Sequence, residues 1–471
     1  MTDATDSRPL RVAVVGSGPS GFYAVEHLQK HTVTVEIDLF DRLPTPYGLV
    51  RGGVAPDHPK IKSVTRVYEK MAAHPSFRFL GNVAVGRDIM HDELMAQYDA
   101  VIYAVGAQTD RNLGIPGETL VGSHAATEFV AWYNGHPDYR DLPFDLSQDA
   151  VAVIGLGNVA MDVTRILAST PEELGTTDIA DHALAALRQS RVQTIYVLGR
   201  RGPVRAAFTN PEIKELGELD DADAIVHPDE MVLDAASEAW LASTDERTPA
   251  KNLLTLRSYA ERGATGKPKR VVLRFCVSPI ALLGEDGRVT AITVAKNCLV
   301  PNGDDVRAEA TGDTETIPVG LVFRSVGYKG VPIAGVPFDD RRSVVPNAQG
   351  RVLVAAGADV TVPGVYVTGW IKRGPSGIIG TNKPDSVETV ERLLEDRAAG
   401  VLPVATGAGR DAVDALLQSR GVDVVSFDDW RRLDAAEQAA GQAQGRPRVK
   451  YTRVDEMMDV IRAGRTHADA R

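Results

Sequence analysis

The stretch Arg11-Val-Ala-Val-Val-Gly16-Ser-Gly18-Pro-Ser-Gly21 constrains the fold of this 471-residue chain more than any other. Its apolar run, Val12 to Val15, suits a buried parallel strand. The run feeds a G-x-G-x-x-G turn, and Phe22 to Lys30 continues as a predicted helix. Glycines at these spacings let the main chain approach a pyrophosphate, whose charge the free N–H groups and dipole of the helix start can hold. A glycine turn alone is often only a turn. Here Val33 to Phe40 reads as the next strand, and Asp41 closes it 20 residues after Gly21. A carboxylate at that point accepts hydrogen bonds from a ribose, which makes the turn a dinucleotide site.

A second copy follows at Ala150-Val-Ala-Val-Ile154-Gly155-Leu-Gly157-Asn158-Val-Ala160, with a small residue in the third glycine position. Its next strand is delayed by an insertion from about Thr170 to Ser190. It arrives as Thr194-Ile-Tyr-Val-Leu198-Gly199 and ends in Arg200-Arg201. An acid at this position suits a ribose hydroxyl and repels a 2′-phosphate, whereas a pair of arginines attracts the phosphate. The first site therefore suits FAD and the second NADP(H). Two unlike sites on one chain allow hydride to pass from a nicotinamide to a flavin. The expected fold is α/β, with two Rossmann-like dinucleotide-binding domains and the NADP domain inserted in the FAD domain. The division runs as a short disordered lead-in at 1–9, an FAD-binding domain at 10–112 and 325–471 with a helical C-terminal extension, and an NADP-binding domain at 113–324.

Electrons must then leave the flavin. The two cysteines, Cys276 and Cys298, lie 22 residues apart in strand-like runs and form no C-x-x-C. They read as free buried thiols, so neither a dithiol nor a metal cluster receives the electrons. The acceptor is expected to be external, and a one-electron carrier fits a flavin. A net charge of −11 argues against general nucleic-acid binding. No apolar run is long enough to span a bilayer. Met1 to Pro9 is acidic and polar, unlike a signal or transit peptide. A cytoplasmic monomer is expected.

Between the two motifs, Arg42 to Lys60 holds four prolines and three glycines, which predicts a long functional loop without regular structure. Ile61 to Ala73 reads as a helix, Phe77 to Val85 as an edge strand and Asp99 to Val105 as a buried strand. Val271 to Cys276, Ala291 to Lys296 and Leu321 to Val326 read as strands of the second domain. Gly364 to Trp370 then ends a strand in glycine, and a second glycine-rich turn leads into a helix over Pro384 to Ala398. The tail, Asp411 to Ala463, is helical in pattern and carries no catalytic signal.

These motifs together resemble the adrenodoxin reductase family of ferredoxin–NADP reductases, in particular its bacterial members. The resemblance rests on Gly16-Ser-Gly18-Pro-Ser-Gly21, Pro44-Thr-Pro46-Tyr-Gly48-Leu-Val-Arg51, Gly53-Val-Ala-Pro56-Asp57-His58-Pro59-Lys60, Gly199-Arg200-Arg201-Gly202-Pro203 and Gly369-Trp370-Ile-Lys-Arg-Gly374-Pro375. It covers about Leu10 to Val390 and fades into the tail. It implies an NADPH–ferredoxin oxidoreductase with FAD and NADP(H) as cofactors and a ferredoxin-type iron–sulphur protein as partner, feeding acceptors such as a cytochrome P450. Carried over by position, FAD contacts fall on the glycine turn (Gly16, Gly18, Ser20, Gly21) and on Asp41, Leu49, Val85, Trp370, Gly377, Ile378 and Ile379. NADP contacts fall on Leu156, Gly157, Asn158, Val159, Arg200, Arg201 and Glu212, with Arg111 and Gly377. Asp41 is shorter than the glutamate common in relatives, and Tyr47 stands where some have tryptophan.

Two residues are candidates for catalysis. The resemblance puts His58 near the flavin, where a histidine can shuttle a proton or orient water; the other reading is a structural histidine bonded within a proline-rich loop. Glu215 matches a family acid that pairs with that histidine; otherwise it is one more helix glutamate. Trp370 packs either on a cofactor or in the core, and Glu212 is either a nicotinamide-side contact or an acid favoured at a helix start. Ferredoxins are acidic, so docking needs a local basic face. Lys251, Arg257, Arg262, Lys267, Lys269 and Arg270 form one candidate, with Lys372, Arg373 and Lys383 near the flavin turn. Competing readings are a flavin monooxygenase, a diaphorase or quinone reductase, and a non-enzymatic NADPH/flavin sensor. A metal centre is not expected.

Overall fold

The computed structural model describes residues 8–31, 33–303 and 305–469; the lead-in expected at 1–9 lies almost wholly outside them. Strand Leu10–Val15 is an interior strand of a seven-stranded sheet. It pairs in parallel with Val35–Phe40 on one side and Ala100–Tyr103 on the other, so that Val15 faces both Phe40 and Tyr103 in register. Phe77–Leu80 forms one edge. The other side continues through Thr361–Val367, Arg351–Leu353 and Asn347–Ala348, the last two pairings antiparallel. The central strands are buried on both faces, as apolar runs without alternation require.

A six-stranded parallel sheet follows the order Ser123–Ala125, Leu321–Arg324, Ala150–Ile154, Thr194–Leu198, Lys269–Arg274, Ala222–Val226. A three-stranded antiparallel sheet, Val277–Glu285, Arg288–Asn302 and Asp305–Pro318, packs beside it through Val277, Ile292 and Ile317. The two passages of chain between the large sheets run side by side, Thr109–Asp110 pairing antiparallel with Tyr328–Lys329. Each large sheet ends a strand in a glycine turn and starts a helix, Pro19–Lys30 in one and Asn158–Ala168 in the other.

Several local expectations are corrected. The proline-rich loop contains two single-turn helices, Leu49–Gly52 and Pro59–Lys62. Proline suits a first helical position, since its missing N–H would have no partner there. The helix expected over Ile61 to Ala73 is broken after Lys62 and resumes at Thr65–Ala72. The edge strand stops at Leu80, and only isolated bridges continue through Gly81 and Val85. Cys276 is half-buried in a turn with a φ of 52°, and Cys298 is exposed, so neither is a core thiol.

The tail forms three helices, Arg410–Ser419, Phe427–Gln442 and Val454–Asp469. It is built into the molecule by buried charge. Glu437 is fully buried and accepts from Arg51, Arg448 and the Tyr451 amide. Lys450 and Lys62 both reach Asp178, at 3.3 and 2.6 Å. Those contacts join the tail to the proline-rich loop and to the segment inserted at 170–190.

Candidate active site

One cavity of about 1260 Å³ opens between the two large sheets. It exceeds the range of roughly 300–1,000 Å³ usual for a single ligand. The first glycine turn forms part of its wall. Gly16 has a φ of 105°, and a Cβ there would meet the Ala104 carbonyl at 2.6 Å. A Cβ on Gly21 would lie 2.1 Å from the Gly16 oxygen, so this glycine allows helix and strand to pack closely. Gly18 differs: it lines the cavity, and a Cβ there would meet nothing within 4 Å. Gly18 also caps helix Pro19–Lys30 without a side-chain cap bond and with no acid in the first turn. The free N–H groups of that helix start therefore suit an anion. Gly157 stands in the same relation to helix Asn158–Ala168: open space at its Cβ, no side-chain cap and no first-turn acid.

Asp41 lines the cavity at the end of its strand. Oδ2 accepts from the Ser17 amide at 3.0 Å and from the Ser17 hydroxyl, and Oδ1 accepts from the Leu43 amide at 3.0 Å. Burial nevertheless raises its pKa above the usual carboxylate value. The carboxylate thus ties the glycine turn to the strand end while it faces the cavity. Ser20 donates to Asn382 Oδ1 at 3.0 Å, which joins the first glycine turn to the last one. Gly369 has a φ of 76°, and a Cβ there would strike the Ser20 hydroxyl.

Leu49, Val85, Trp370, Gly377, Ile378 and Ile379 complete this wall. Trp370 donates from Nε1 to the Ser376 carbonyl at 3.1 Å, and its ring lies 5.0 Å from that of Tyr328. It is a cavity residue, not a core one. Tyr47 does not line the cavity; it is buried against Phe22, Tyr68 and Trp430.

Asn158, Val159, Glu212 and Glu215 bring the second unit to the same cavity. Thr209 donates its amide to Asn158 Oδ1 at 2.9 Å, which holds the helix Asn210–Glu215 against the second glycine turn. Gly21, Arg111, Leu156, Gly157, Arg200 and Arg201 stand outside the lining. Leu156 instead packs over Gly199, and Arg111 donates its amide to the Gly327 carbonyl at 2.9 Å. Arg200 is exposed at the end of Thr194–Leu198, and Arg201 follows it half-buried.

Where the two walls meet, Arg165 organises four carboxylates. It is buried, bonded to Asp57, and lies 2.6 Å from Asp162, 3.0 Å from Glu212 and 3.3 Å from Glu215. His58 Nε2 is 3.0 Å from Glu215 Oε2, and Nδ1 is 4.0 Å from Asp162. Burial works against the imidazolium, but the Glu215 bond and the charges of Asp57 and Asp162 outweigh it and raise the His58 pKa. The His58 bond holds Glu215 below its ordinary value. Burial and the Asp162 charge push Glu212 up to about 7, and burial likewise raises Asp162. Arg165 and His58 together only partly neutralise four carboxylates, and the excess falls on Glu212 and Asp162, which hold protons more readily than free carboxylates. Glu212 is accordingly a buried member of this network and no solvent-facing helix-start acid. Arg165 and Asp162 escape a sequence reading; at i and i+3 on a helix they resemble an ordinary surface pair. Met457, from the tail, also reaches the lining.

The basic residues divide. Lys372 is buried, 3.1 Å from Asp385 and 2.7 Å from Glu388; Arg373 lies 3.0 Å from Asp385, and Lys383 lies 3.1 Å from Glu26. Lys372 and Arg373 are thus enclosed within the last glycine turn and its helix, while Lys383 stays exposed in its pair with Glu26. Lys267 and Lys269 donate to main-chain carbonyls. Lys251, Arg257, Arg262 and Arg270 are exposed.

Residues 10–196 match the family model described as pyridine nucleotide-disulphide oxidoreductase. The chain is 46% identical over 463 residues to the NADPH-ferredoxin reductase FprA of Mycobacterium tuberculosis, covering 96% of this chain and 99% of that one. It is 43% identical to the mitochondrial NADPH:adrenodoxin oxidoreductase of Bos taurus, covering 97% and 93%. The solved structure of Mycobacterium tuberculosis FprA in complex with NADPH superposes with a TM-score of 0.90 at 45% identity, over 96% of this chain and all of that one.

Proposed function

The chain belongs to the family of the FprA-type NADPH-ferredoxin reductases and adrenodoxin reductases, and we propose from that premise how its own residues do the work. It is an oxidoreductase that carries reducing equivalents from NADPH to a ferredoxin-type protein, with FAD and NADP(H) as cofactors. The observation that carries the arrangement is one cavity receiving the uncapped helix starts of both glycine turns. The empty space at Gly18 and Gly157 and the free N–H groups beside them fit two anionic dinucleotides. When bound, the flavin supplies the conversion of a two-electron hydride into single electrons for the carrier.

The other steps fall to the protein. Gly18 and the Ser20 amide region would hold the FAD pyrophosphate, and Asp41 its ribose through the lone pairs Ser17 and Leu43 leave free. Leu49, Val85, Trp370, Ile378 and Ile379 exclude water from that side. Asn158 and Val159 would hold the NADP pyrophosphate, and Arg200 and Arg201 the 2′-phosphate. His58 keeps a proton on Nε2 against Glu215, and Glu212 exchanges one near neutral pH, so the cluster supplies or accepts protons as reduction proceeds. We assign 10–112 with 325–471 to the flavin and 113–324 to NADP. No helix among the described residues is long and apolar enough to cross a membrane, and we place the enzyme in the cytoplasm as a monomer.

Stopped-flow mixing tests this. NADPH should bleach the flavin of the purified protein rapidly and NADH slowly, and oxidised ferredoxin should then restore its colour. Equal rates with the two nicotinamides would overturn the role of the arginines. Reoxidation by oxygen in preference to ferredoxin would overturn the acceptor.

A further inference from the structure

Away from the cavity, the last turn of helix Pro19–Lys30 and the side of helix Asn382–Ala398 bring His27, His31 and Glu391 together. His27 Nε2 lies 2.6 Å from Glu391 Oε1, His31 Nε2 lies 3.3 Å from the same oxygen, and the two Nε2 atoms are 3.2 Å apart. We propose that these three side chains bind one divalent ion of the zinc class, which clamps the flavin-side glycine helix to the helix that follows the last glycine turn.

The geometry is that of a ligand face. A triangle with these three sides has a circumradius of about 1.8 Å, so a point about 1 Å above its plane lies about 2.05 Å from all three atoms. That is the Zn–N and Zn–O bond length; the two longer sides already match the roughly 3.3 Å between ligand atoms of a tetrahedral site, and His27 and Glu391 part by about 0.7 Å to complete it. Two imidazoles and one carboxylate form a donor set that late first-row metals favour over magnesium or calcium. The rings are nearly perpendicular, at 83°, with the two Nε2 atoms as their facing nitrogens. The side chains of His31 and Glu391 are 33% and 41% exposed, which gives an ion an entry path and leaves its fourth position to water. The C-terminal end of the first helix adds its negative dipole end.

Among the described residues one other triad has comparable spacing, His58 with Glu212 and Glu215. It belongs to the cavity, and the Arg165 guanidinium already occupies its carboxylates and repels a cation. The surface triad has no arginine bonded to it among the described residues. The ion would join residues 364 positions apart in the chain. It would stiffen the contact that Ser20 and Asn382 make at the other end of the same helix pair.

Equilibrium dialysis of the chelator-treated holoenzyme against ZnCl2, with metal analysis, tests the site. Wild type should bind one zinc ion that is lost, or weakened at least tenfold, in the His27→Ala/His31→Ala variant. Glu391→Gln, which keeps the side chain's shape, should weaken binding several-fold. Retained flavin absorbance shows that each variant is folded. Zinc should also raise the thermal midpoint of wild type and of neither variant, since a ligand stabilises the state it binds. No bound zinc, or affinity unchanged in either variant, overturns the proposal.

Discussion

His58 and Glu215 lie 157 residues apart in the chain, yet Nε2 of one sits 3.0 Å from Oε2 of the other. The contact exists only because the proline-rich loop of the first unit is pressed against a helix of the second, so the pair marks where the two nucleotide units meet.

Replacing Glu215 by Gln should keep the hydrogen bond and remove its charge. His58 then loses its chief support, and the pH at which it deprotonates should move down, visible in the imidazole proton resonances. The alkaline limb of NADPH-to-ferricyanide turnover should move the same way. The stability contributed by the raised His58 pKa is complete below its ordinary value of 6.5 and is lost as pH rises through the folded value. The loss should be about 1 kcal/mol, because Glu215 is partly exposed. It should shrink toward alkaline pH.

Arg165 allows a larger effect. Arg165→Met leaves four carboxylates at the centre of the molecule without their counter-charge and should cost about 3–5 kcal/mol. Glu212, with a pKa near 7, and Asp162, also raised, take up protons on acidification. The deficit in urea midpoint should therefore be greater at about pH 8 than at about pH 5. A deficit independent of pH would mean that lost packing, and not charge, is responsible.

That centre also shows what the chain reveals when read linearly. The two strand–turn–helix units and their strand ends were legible because glycine chemistry and apolar runs are local properties. Resemblance led to Glu215 beside His58, and the structure places them in contact. Arg165 and Asp162 were not legible, since only the fold shows that Asp57, Glu212 and Glu215 converge on them. Lys372 was misjudged for the opposite reason. It reads as one charge in a basic surface run, but Asp385 and Glu388, on a helix further along, enclose it. The turn glycines were legible as a motif, while their separate duties depended on which backbone lies opposite each.

Those duties separate by substitution. Gly21→Val drives a side chain into the Gly16 carbonyl and should prevent folding or lower stability severely. Gly18→Val meets open space and should leave far-UV circular dichroism unchanged. It places methyl groups where the pyrophosphate must sit, so FAD affinity should fall at least tenfold, about 1.4 kcal/mol. Equal loss of fold in both would remove the distinction.

Arg200→Gln with Arg201→Gln should raise the KM for NADPH by roughly 10–100-fold, as expected for removing charge-assisted bonds of about 1.5–3 kcal/mol. The KM for NADH should hardly change, because NADH has no 2′-phosphate. Steady-state kinetics with both nicotinamides checks this; parallel losses would mean that the arginines support the strand end and do not read the phosphate.

Ion pairs already engage Lys372, Arg373 and the exposed Lys383, whereas Lys251, Arg257, Arg262 and Arg270 are exposed basic residues of the second unit. On a chain of net charge −11, exposed basic residues are where an acidic partner meets least repulsion. Charges at the rim of an interface act mainly on the association rate and its dependence on salt. Changing these four residues to glutamine should therefore lower the second-order rate of ferredoxin reduction about tenfold or more at low ionic strength, with the difference shrinking as salt is added. NADPH-to-ferricyanide turnover should stay constant, because ferricyanide needs no docking face. Equal losses in both assays would place these residues in the support of the NADP domain, and a carrier rate unaffected by the change would place docking elsewhere on the molecule.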